Sequence, residues 1–241
     1  MPFSFSEIDL LCVDLDDTII VYDAVSEPSW REVCAVHAPG LDILPDRLYA
    51  EITSVAGSYW SDPDNHRAGR LRLDSVRCEL VLRSLHNLGR ADAAAAERIA
   101  RDFTVLRESR LELFPGAANA LSALSQQVDL CLVTNGESHK QRGKVERFAL
   151  GPFFSKILIE EETGVGKPDP RVFTHACSVC GAAPERAAMI GDNLVWDVHA
   201  PRQIGMKGIW NDFRGRGLPE NSRIIPDLIV RSLSEFAASL S

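Results

Sequence analysis

The chain has 241 residues, of which 45% are hydrophobic and 25% charged, a composition typical of a globular protein with a substantial core. Its formal net charge of −8 argues against binding to nucleic acid or to an anionic membrane surface, because both partners require a basic face. The N-terminal segment MPFSFSEIDLL lacks a basic region, and no apolar run approaches the ~20 residues of a membrane span. We therefore expect a cytoplasmic protein whose six cysteines are mostly buried, reduced thiols.

An apolar segment near the N-terminus ends in a cluster of acidic residues. The segment LLCVDLDDTII (10–20) has the hydrophobicity of a buried strand, yet it contains Asp14, Asp16 and Asp17. Carboxylates this close repel one another, and burying even one without a partner is unfavourable. A cation, a helix N-terminus or exposure to water must therefore compensate them. For Asp17 we expect a role in turn geometry.

Short apolar segments and helical patterns alternate along most of the chain. Six apolar segments are predicted to be buried strands, at 9–15, 128–135, 156–160, 187–192, 207–210 and, more weakly, 227–230. Helical patterns lie between the later strands, at 115–126, 137–148, 170–180 and 193–205. This order predicts an α/β fold with a doubly wound parallel sheet.

The region after the first strand departs from this alternation. It shows four helical patterns and no strand pattern, so residues 19–113 are predicted to form an inserted α-helical domain. Residues 1–18 and 114–241 are then the main domain. Between two of the inserted helices, the polar stretch SDPDNHRAGR (61–70) is predicted to be a loop. Its Arg67 and Arg70 are candidate contacts to a substrate, and an exposed loop without such a role is the alternative.

Chemically active side chains follow the predicted strands. Ligands of open α/β sheets bind beyond the carboxyl ends of the strands, so we expect these side chains to meet there. Their positions are Asp14 and Asp16, then Thr134 and Asn135, then Lys167 before a helix, and finally Asp192, Asn193 and Asp197.

This set of residues suits a phosphorylated ligand and a hard cation. Asp14 and Asp192 can share Mg²⁺, which typically takes one or two carboxylates together with waters and phosphate oxygens. Thr134, the backbone amides that follow it and a helix N-terminus form a site for an anion, and Lys167 adds a positive charge. Asp14 and Asp16 lie on the same side of an extended chain, which suits one as nucleophile and the other as general acid/base.

Four segments together resemble the motifs of the haloacid dehalogenase superfamily. They are DLDDT (14–18), VTNG (133–136), KPDP (167–170) and GDNLVWD (191–197), and they occur in the order of the family. The inserted helices resemble its C1-type cap, so the likeness covers almost the whole chain and implies a Rossmann-like core.

The resemblance also implies roles. Asp14 would be the nucleophile that forms an aspartyl-phosphate, and Asp16 would protonate the leaving group and then activate water. Mg²⁺ would be held by Asp14, the backbone carbonyl of Asp16 and Asp192. The phosphate would be bound by Thr134, Asn135 and Lys167, with Asn193 and Asp197 in support.

The expected function is a Mg²⁺-dependent phosphatase acting on a small phosphorylated metabolite, a sugar phosphate or a nucleotide. A phosphosugar mutase of the β-phosphoglucomutase type is one alternative, because it shares every core motif. A 2-haloacid dehalogenase is another, although breaking a carbon–halogen bond requires no acid at Asp16. A non-catalytic binding module is disfavoured by the intact acidic residues. The sequence leaves the substrate's identity and the oligomeric state open.

Overall fold

The computed structural model describes residues 7–239 and divides this part of the chain into two compact units. The larger unit contains the described residues up to Val21 and from Glu112 onward, and the smaller one is Tyr22–Leu111. The junctions predicted from the sequence, 18/19 and 113/114, lie a few residues away from these. Residues 1–6, on which the expectation about the N-terminal segment partly rests, lie outside the described residues.

The larger unit is built on a six-stranded sheet in which every pair of neighbouring strands is parallel. Its strands are β1 (Leu10–Val13), β4 (Asp129–Thr134), β5 (Lys156–Ile159), β6 (Ala187–Gly191), β7 (Lys207–Asn211) and β8 (Leu228–Val230). They lie side by side in the order β5-β4-β1-β6-β7-β8. This topology confirms the predicted α/β fold, and all six predicted strands are present.

Strand β1 lies in the middle of the sheet because its side chains are apolar on both faces. Leu10, Leu11, Cys12 and Val13 are all fully buried. The strand pairs with β4 on one side and with β6 on the other. The residues that follow β1 are thereby brought beside the ends of β4 and β6, at the carboxyl edge of the sheet.

Helices of the larger unit follow its strands. They are α6 (Ala117–Leu124), α7 (Ser138–Arg147), α8 (Glu160–Thr163), α9 (Pro170–Cys180), α10 (Ala200–Arg202) and α11 (Leu233–Ala238). The predicted continuous helix over 193–205 is instead a π-helical turn, Leu194–His199, followed by α10. Pro201 has no N–H to donate to the carbonyl of Asp197, as an unbroken α-helix would require.

The smaller unit is helical. Its helices are α1 (Ser26–His37), α2 (Pro45–Trp60), α3 (Pro63–Gly69), α4 (Leu73–Asn87) and α5 (Ala93–Ser109). They bury a core of their own, which includes Leu48, Val81 and Phe103. The ring of Trp30 stacks on that of Phe103, with the ring centroids 3.7 Å apart. None of the described helices is both long and apolar enough to cross a membrane.

The prediction of a loop over 61–70 was wrong, because most of this stretch forms α3. Asp62 begins the helix: its Oδ1 accepts hydrogen bonds from the backbone N–H groups of Asp64 at 2.8 Å and Asn65 at 3.3 Å. Pro63 occupies the first helical turn, where its missing N–H has no consequence. The Asp-Pro pair was the signal for this helix, and the polarity of the stretch concealed it.

Two short strands were also missed. β2 (Ile20–Val21) and β3 (Glu112–Leu113) pair antiparallel, with Ile20 opposite Leu113, within the larger unit. Two residues are too few to show the alternation by which a strand is recognised in a sequence. The expectation of no strand between Ile19 and Leu113 was therefore wrong at both of its ends.

The close approach of β7 to the π-helical turn yields a stability prediction. A Cβ added at Gly208 would lie 2.7 Å from the backbone oxygen of Val198 and 2.8 Å from its Cα. We expect Gly208→Ala to lower the free energy of unfolding by about 1–3 kcal/mol, because backbone atoms cannot easily move away. The matched control is Gly143→Ala in α7, where nothing lies within 4 Å. This change should raise the same quantity by about 0.5–1 kcal/mol. Denaturant unfolding of both variants checks this, and equal stabilities would contradict it.

Candidate active site

Asp14 is the first residue after β1 and lies inside the protein. Its backbone N–H donates to the carbonyl of Ile190 at 3.0 Å, which holds the chain against β6 beyond the end of the strand. The residue is only 8% exposed. Its Oδ1 lies 2.6 Å from Nζ of Lys167. The buried carboxylate therefore has a cation as its direct partner.

Lys167 pairs with a second buried carboxylate. Its Nζ donates to Oδ1 of Asp197 at 2.7 Å, and both side chains are almost completely buried. The backbone of Lys167 is held by Asn135, whose Oδ1 accepts from its N–H and whose Nδ2 donates to its carbonyl, each at 2.8 Å. The Asn135 side chain thus fixes the position of the lysine.

The chain after β6 is folded tightly around its acidic residues. Asn193 begins the π-helical turn by accepting from the N–H groups of Val195 and Trp196 at 3.0 and 3.1 Å. Its own N–H donates to Oδ2 of Asp197 at 3.0 Å. The carbonyl of Asp192 accepts from Nε1 of Trp210 at 2.8 Å, which anchors its backbone to β7. The two aspartates therefore sit on a rigid segment.

Three carboxylates converge at this edge of the sheet. Asp14, Asp192 and Asp197 each offer an oxygen, and these oxygens lie within 4.8 Å of one another. The ammonium of Lys167 pairs with two of the three, Asp14 and Asp197, and is the one cation seen to pair with them among residues 7–239, so negative charge remains in excess. A divalent cation that prefers oxygen ligands fits such a donor set.

The pKa values of these groups reflect their burial first and this excess of negative charge second. Burial raises the pKa of Asp14 to about 7, although Lys167 acts in the opposite direction. Burial also raises the pKa of Asp192 to about 8, and repulsion from Asp14 and Asp197 adds to the shift. Burial alone would lower the pKa of Lys167, but Asp14 and Asp197 outweigh it and the pKa is raised. The lysine therefore stays charged while two of the acids resist ionisation.

Asp16 has an environment quite different from that of Asp14. It precedes Asp17, whose φ of 57° lies in the left-handed region that Asp tolerates, so the chain turns here. Both carboxylate oxygens of Asp16 lie 2.7 Å from Nζ of Lys144, and Oδ2 accepts from Nε2 of Gln141 at 3.2 Å. The two acids after β1 thus have separate cationic partners.

Gln141 and Lys144 were missed in the sequence analysis. They lie three positions apart on α7, so they share one face of that helix. Nε2 of Gln141 also contacts Oγ1 of Thr134 at 2.6 Å and the carbonyl of Asn135 at 3.0 Å. Their spacing within a predicted helix was the available signal, but polar residues in that pattern usually face solvent.

Glutamates after β5 hold the start of α7. Glu160 is buried and accepts from the N–H of Gly136 at 3.1 Å, and Glu161 accepts from the N–H of Ser138 at 2.6 Å. These contacts fix the turn that follows Thr134, which is itself buried.

The structure brings most of the predicted site residues together at one edge of the sheet. They are Asp14, Asp16, Thr134, Asn135, Lys167, Asp192, Asn193 and Asp197. Arg67 and Arg70 belong to the smaller unit, where Arg67 is exposed on α3 and Arg70 is buried at its C-terminal end.

The raised pKa values predict how stability depends on pH. An acid whose pKa is higher in the folded state holds a proton that the unfolded chain releases, so stability falls as pH rises from about 4 to about 8. We expect the unfolding midpoint in EDTA to decrease over this range. Mg²⁺ should restore it, and more at pH 8 than at pH 5, because the metal competes with protons.

Asp192→Asn provides the matched variant for this measurement. A neutral amide carries no buried charge, so the variant should show a flatter pH profile in EDTA and exceed the parent's midpoint at pH 8. It should also lose most of the gain from Mg²⁺. Thermal unfolding across the pH series checks both, and parallel curves for parent and variant would contradict the assignment.

Comparison with known proteins finds relatives that are named phosphatases. A phosphoserine phosphatase from Thermus thermophilus is 44% identical over 128 residues, which are 52% of this chain and 50% of that protein. This chain therefore matches only half the length of that relative. A glyceraldehyde 3-phosphate phosphatase from Pyrococcus furiosus is 29% identical over 208 residues, 84% of this chain and 80% of that protein.

A solved structure has a similar fold along the whole chain. It is the HAD-hydrolase YfnB from Bacillus subtilis bound to magnesium, with a TM-score of 0.74, 26% identity, and coverage of 97% of this chain and 99% of that one. Residues 8–205 match the family described as haloacid dehalogenase-like hydrolase. Since that match extends over most of the sequence, the chain belongs to the haloacid dehalogenase-like hydrolases.

Proposed function

We propose that this hydrolase is a Mg²⁺-dependent phosphatase that cleaves a small phosphorylated metabolite through an aspartyl-phosphate on Asp14. One observation supports this most strongly: two carboxylates, two positions apart, have different partners. Asp14 is buried beside Lys167, whereas Asp16 is partly exposed beside Lys144. Two acids held apart in this way suit separate roles as nucleophile and as general acid/base.

The phosphoryl group would be bound at the start of α7 and by Lys167. Backbone N–H groups at a helix N-terminus attract anions, and the Thr134 hydroxyl lies at the same turn. Asn135 would contribute through its backbone N–H, because its side chain is engaged with Lys167. The ammonium beside Asp14 would oppose the negative charge of a phosphoryl oxygen.

Mg²⁺ would be held by the carboxylates of Asp14 and Asp192 and by the backbone carbonyl of Asp16. Asp197 and Asn193 would support the site, the former through its contact with Lys167. When bound, the ion supplies the positive charge that lets an ionised Asp14 approach an anionic ester. Mg²⁺ suits this site better than Ca²⁺, because few protein ligands leave room for waters and phosphate oxygens.

The reaction divides into two transfers. In the first, Asp14 attacks phosphorus, the bond to the leaving oxygen breaks, and Asp16 donates its proton to that oxygen. In the second, Asp16 takes a proton from water, whose oxygen attacks the phosphorus of the aspartyl-phosphate. Phosphate departs and Asp14 is regenerated as a carboxylate.

The substrate is proposed to be a phosphate monoester of a small metabolite, such as a sugar phosphate or a nucleotide. The names of the two related phosphatases support this class. The cytoplasmic location expected from the sequence stays a prediction. A mutase of the β-phosphoglucomutase type is the second candidate, and incubation with a hexose phosphate separates the two by its product, an isomer or free phosphate. A 2-haloacid dehalogenase is less favoured, because a departing halide needs no proton from Asp16.

Substitutions at the two acids test the proposal. Asp14→Asn should abolish turnover of every ester, because an amide is a poor nucleophile. Asp16→Ala should lower turnover of an alkyl phosphate by about 10²–10⁴-fold, since the alkoxide then leaves unprotonated. The phenolate of an aryl phosphate with an acidic phenol leaves without a proton donor. The variant should therefore show a phenolate burst followed by slow turnover.

Rapid-mixing kinetics in Mg²⁺ and intact-protein mass measurement check these outcomes, the second by detecting phosphate trapped on Asp14. Activity in EDTA should be lost. Equal losses on alkyl and aryl esters without a burst would show that Asp16 is not the acid/base. Full turnover by Asp14→Asn would exclude the phosphoenzyme.

Arg67 and Arg70 are proposed contacts to the leaving group of the substrate. Changing either to Ala should alter the ranking of substrates more than it alters turnover of a small generic ester, whose leaving group offers little to contact. The control is Arg101→Ala, which removes an arginine of the smaller unit that is exposed, as Arg67 is and Arg70 is not. A panel of phosphate esters measures the ranking, and equal losses on all of them would oppose the assignment.

A further inference from the structure

Lys144 makes an ion pair that the motifs do not account for. Its Nζ lies 2.7 Å from both carboxylate oxygens of Asp16, a residue 128 positions earlier in the chain. The lysine side chain is only 11% exposed, and that of Asp16 is 26% exposed. Arg142, on the same helix, instead pairs with Glu162 where both side chains are more exposed. The Lys144 pair is thus shielded from water, unlike an ordinary surface pair.

The geometry of the pair restricts the orientation of the carboxylate. An ammonium equidistant from two oxygens lies near the bisector of the carboxylate and opposes its rotation. Gln141 adds a second point of attachment at Oδ2, and the same Nε2 contacts Oγ1 of Thr134. Residues on one face of α7 therefore tie the proposed acid/base to the turn at which the phosphate is proposed to bind.

We infer that Lys144 is a positioning residue for the proposed reaction, acting through Asp16 and not on the substrate itself. Asp16 lies just before the turn that begins at Asp17 and has a partly exposed side chain, so without this contact its carboxylate could adopt other rotamers. Both proposed transfers require an oxygen of Asp16 within hydrogen-bond distance, first of the leaving oxygen and then of the attacking water. The inference rests on the proposed function, because it assigns Lys144 to the residue that moves the proton.

The experiment is a double-mutant cycle on the full-length enzyme. Lys144→Met removes the ammonium but keeps the unbranched side chain, and Lys144→Arg keeps the charge. Each is made alone, and Lys144→Met is also combined with Asp16→Ala. Arg147→Met, on an exposed part of the same helix, is the matched control for loss of a positive charge from α7. Substrates are p-nitrophenyl phosphate and an alkyl ester, glycerol 2-phosphate, and unfolding midpoints are recorded for every variant.

We expect Lys144→Met to lower kcat on the alkyl ester by about 10- to 100-fold, the loss typical of a misplaced reacting group. KM should change little. Lys144→Arg should recover most of the rate, and Arg147→Met should retain it. On the aryl ester, Lys144→Met should reproduce part of the burst of Asp16→Ala. In the Asp16→Ala background, Lys144→Met should add almost nothing, because residues that act as a unit are not additive.

Four results would overturn the inference. Additive losses in the double variant, or a loss expressed mainly in KM, would mean that Lys144 acts on the substrate directly. Full activity of Lys144→Met would mean that the ion pair has no part in the reaction. Any one of these first three results, combined with a severe defect of Asp16→Ala, refutes only the role of Lys144. Full activity of Asp16→Ala would refute the proposed acid/base and, with it, the role of Lys144.

Discussion

One buried ammonium organises the carboxyl edge of the sheet. Lys167 lies between Asp14, which follows β1, and Asp197, which follows β6, and it contacts an oxygen of each. Burying these three ionic groups is tolerable because the ammonium contacts both carboxylates, and removing one partner from such a group typically destabilises a protein by about 3–5 kcal/mol. Asn135 holds the lysine's backbone, so segments from four parts of the chain depend on this contact.

The same contact leaves the site short of positive charge. Burial raises the pKa values of Asp14 and Asp192 to about 7 and about 8, and repulsion from the neighbouring carboxylates adds to both shifts. A divalent cation bound here would offset the repulsion among the carboxylates. The arrangement that weakens the metal-free protein at neutral pH is therefore also one that suits Mg²⁺. Asp16 does not share Lys167 with the other acids, because it has its own partner, Lys144, on α7. Separate cations thereby give two neighbouring acids different surroundings, which suits the different roles proposed for them.

Much of the fold was predictable because its signals are local. The six strands of the parallel sheet are short, buried and apolar, and each was recognisable without knowledge of its neighbours. Glycines and prolines mark the ends of α9, so its limits agree with the prediction. Elements without a local signature were missed: β2 and β3 have two residues each, and α3 is polar along its length. The change of helix type before Pro201 was missed, because nothing local in the sequence indicates the π-helical turn that precedes α10.

Most residues that meet at the edge of the sheet could be predicted from their positions after the strands. Asp14, Thr134 and Asp192 each stand at the end of a strand, and strand order alone brings such positions together. Which of their charges pair depends on the folded chain. Lys144 and Gln141 lie on a helix whose polar residues outnumber its apolar ones, and nothing local shows which of them face the loop after β1. A contact spanning 128 positions depends on how α7 packs, and packing is a property of the folded chain and not of any segment.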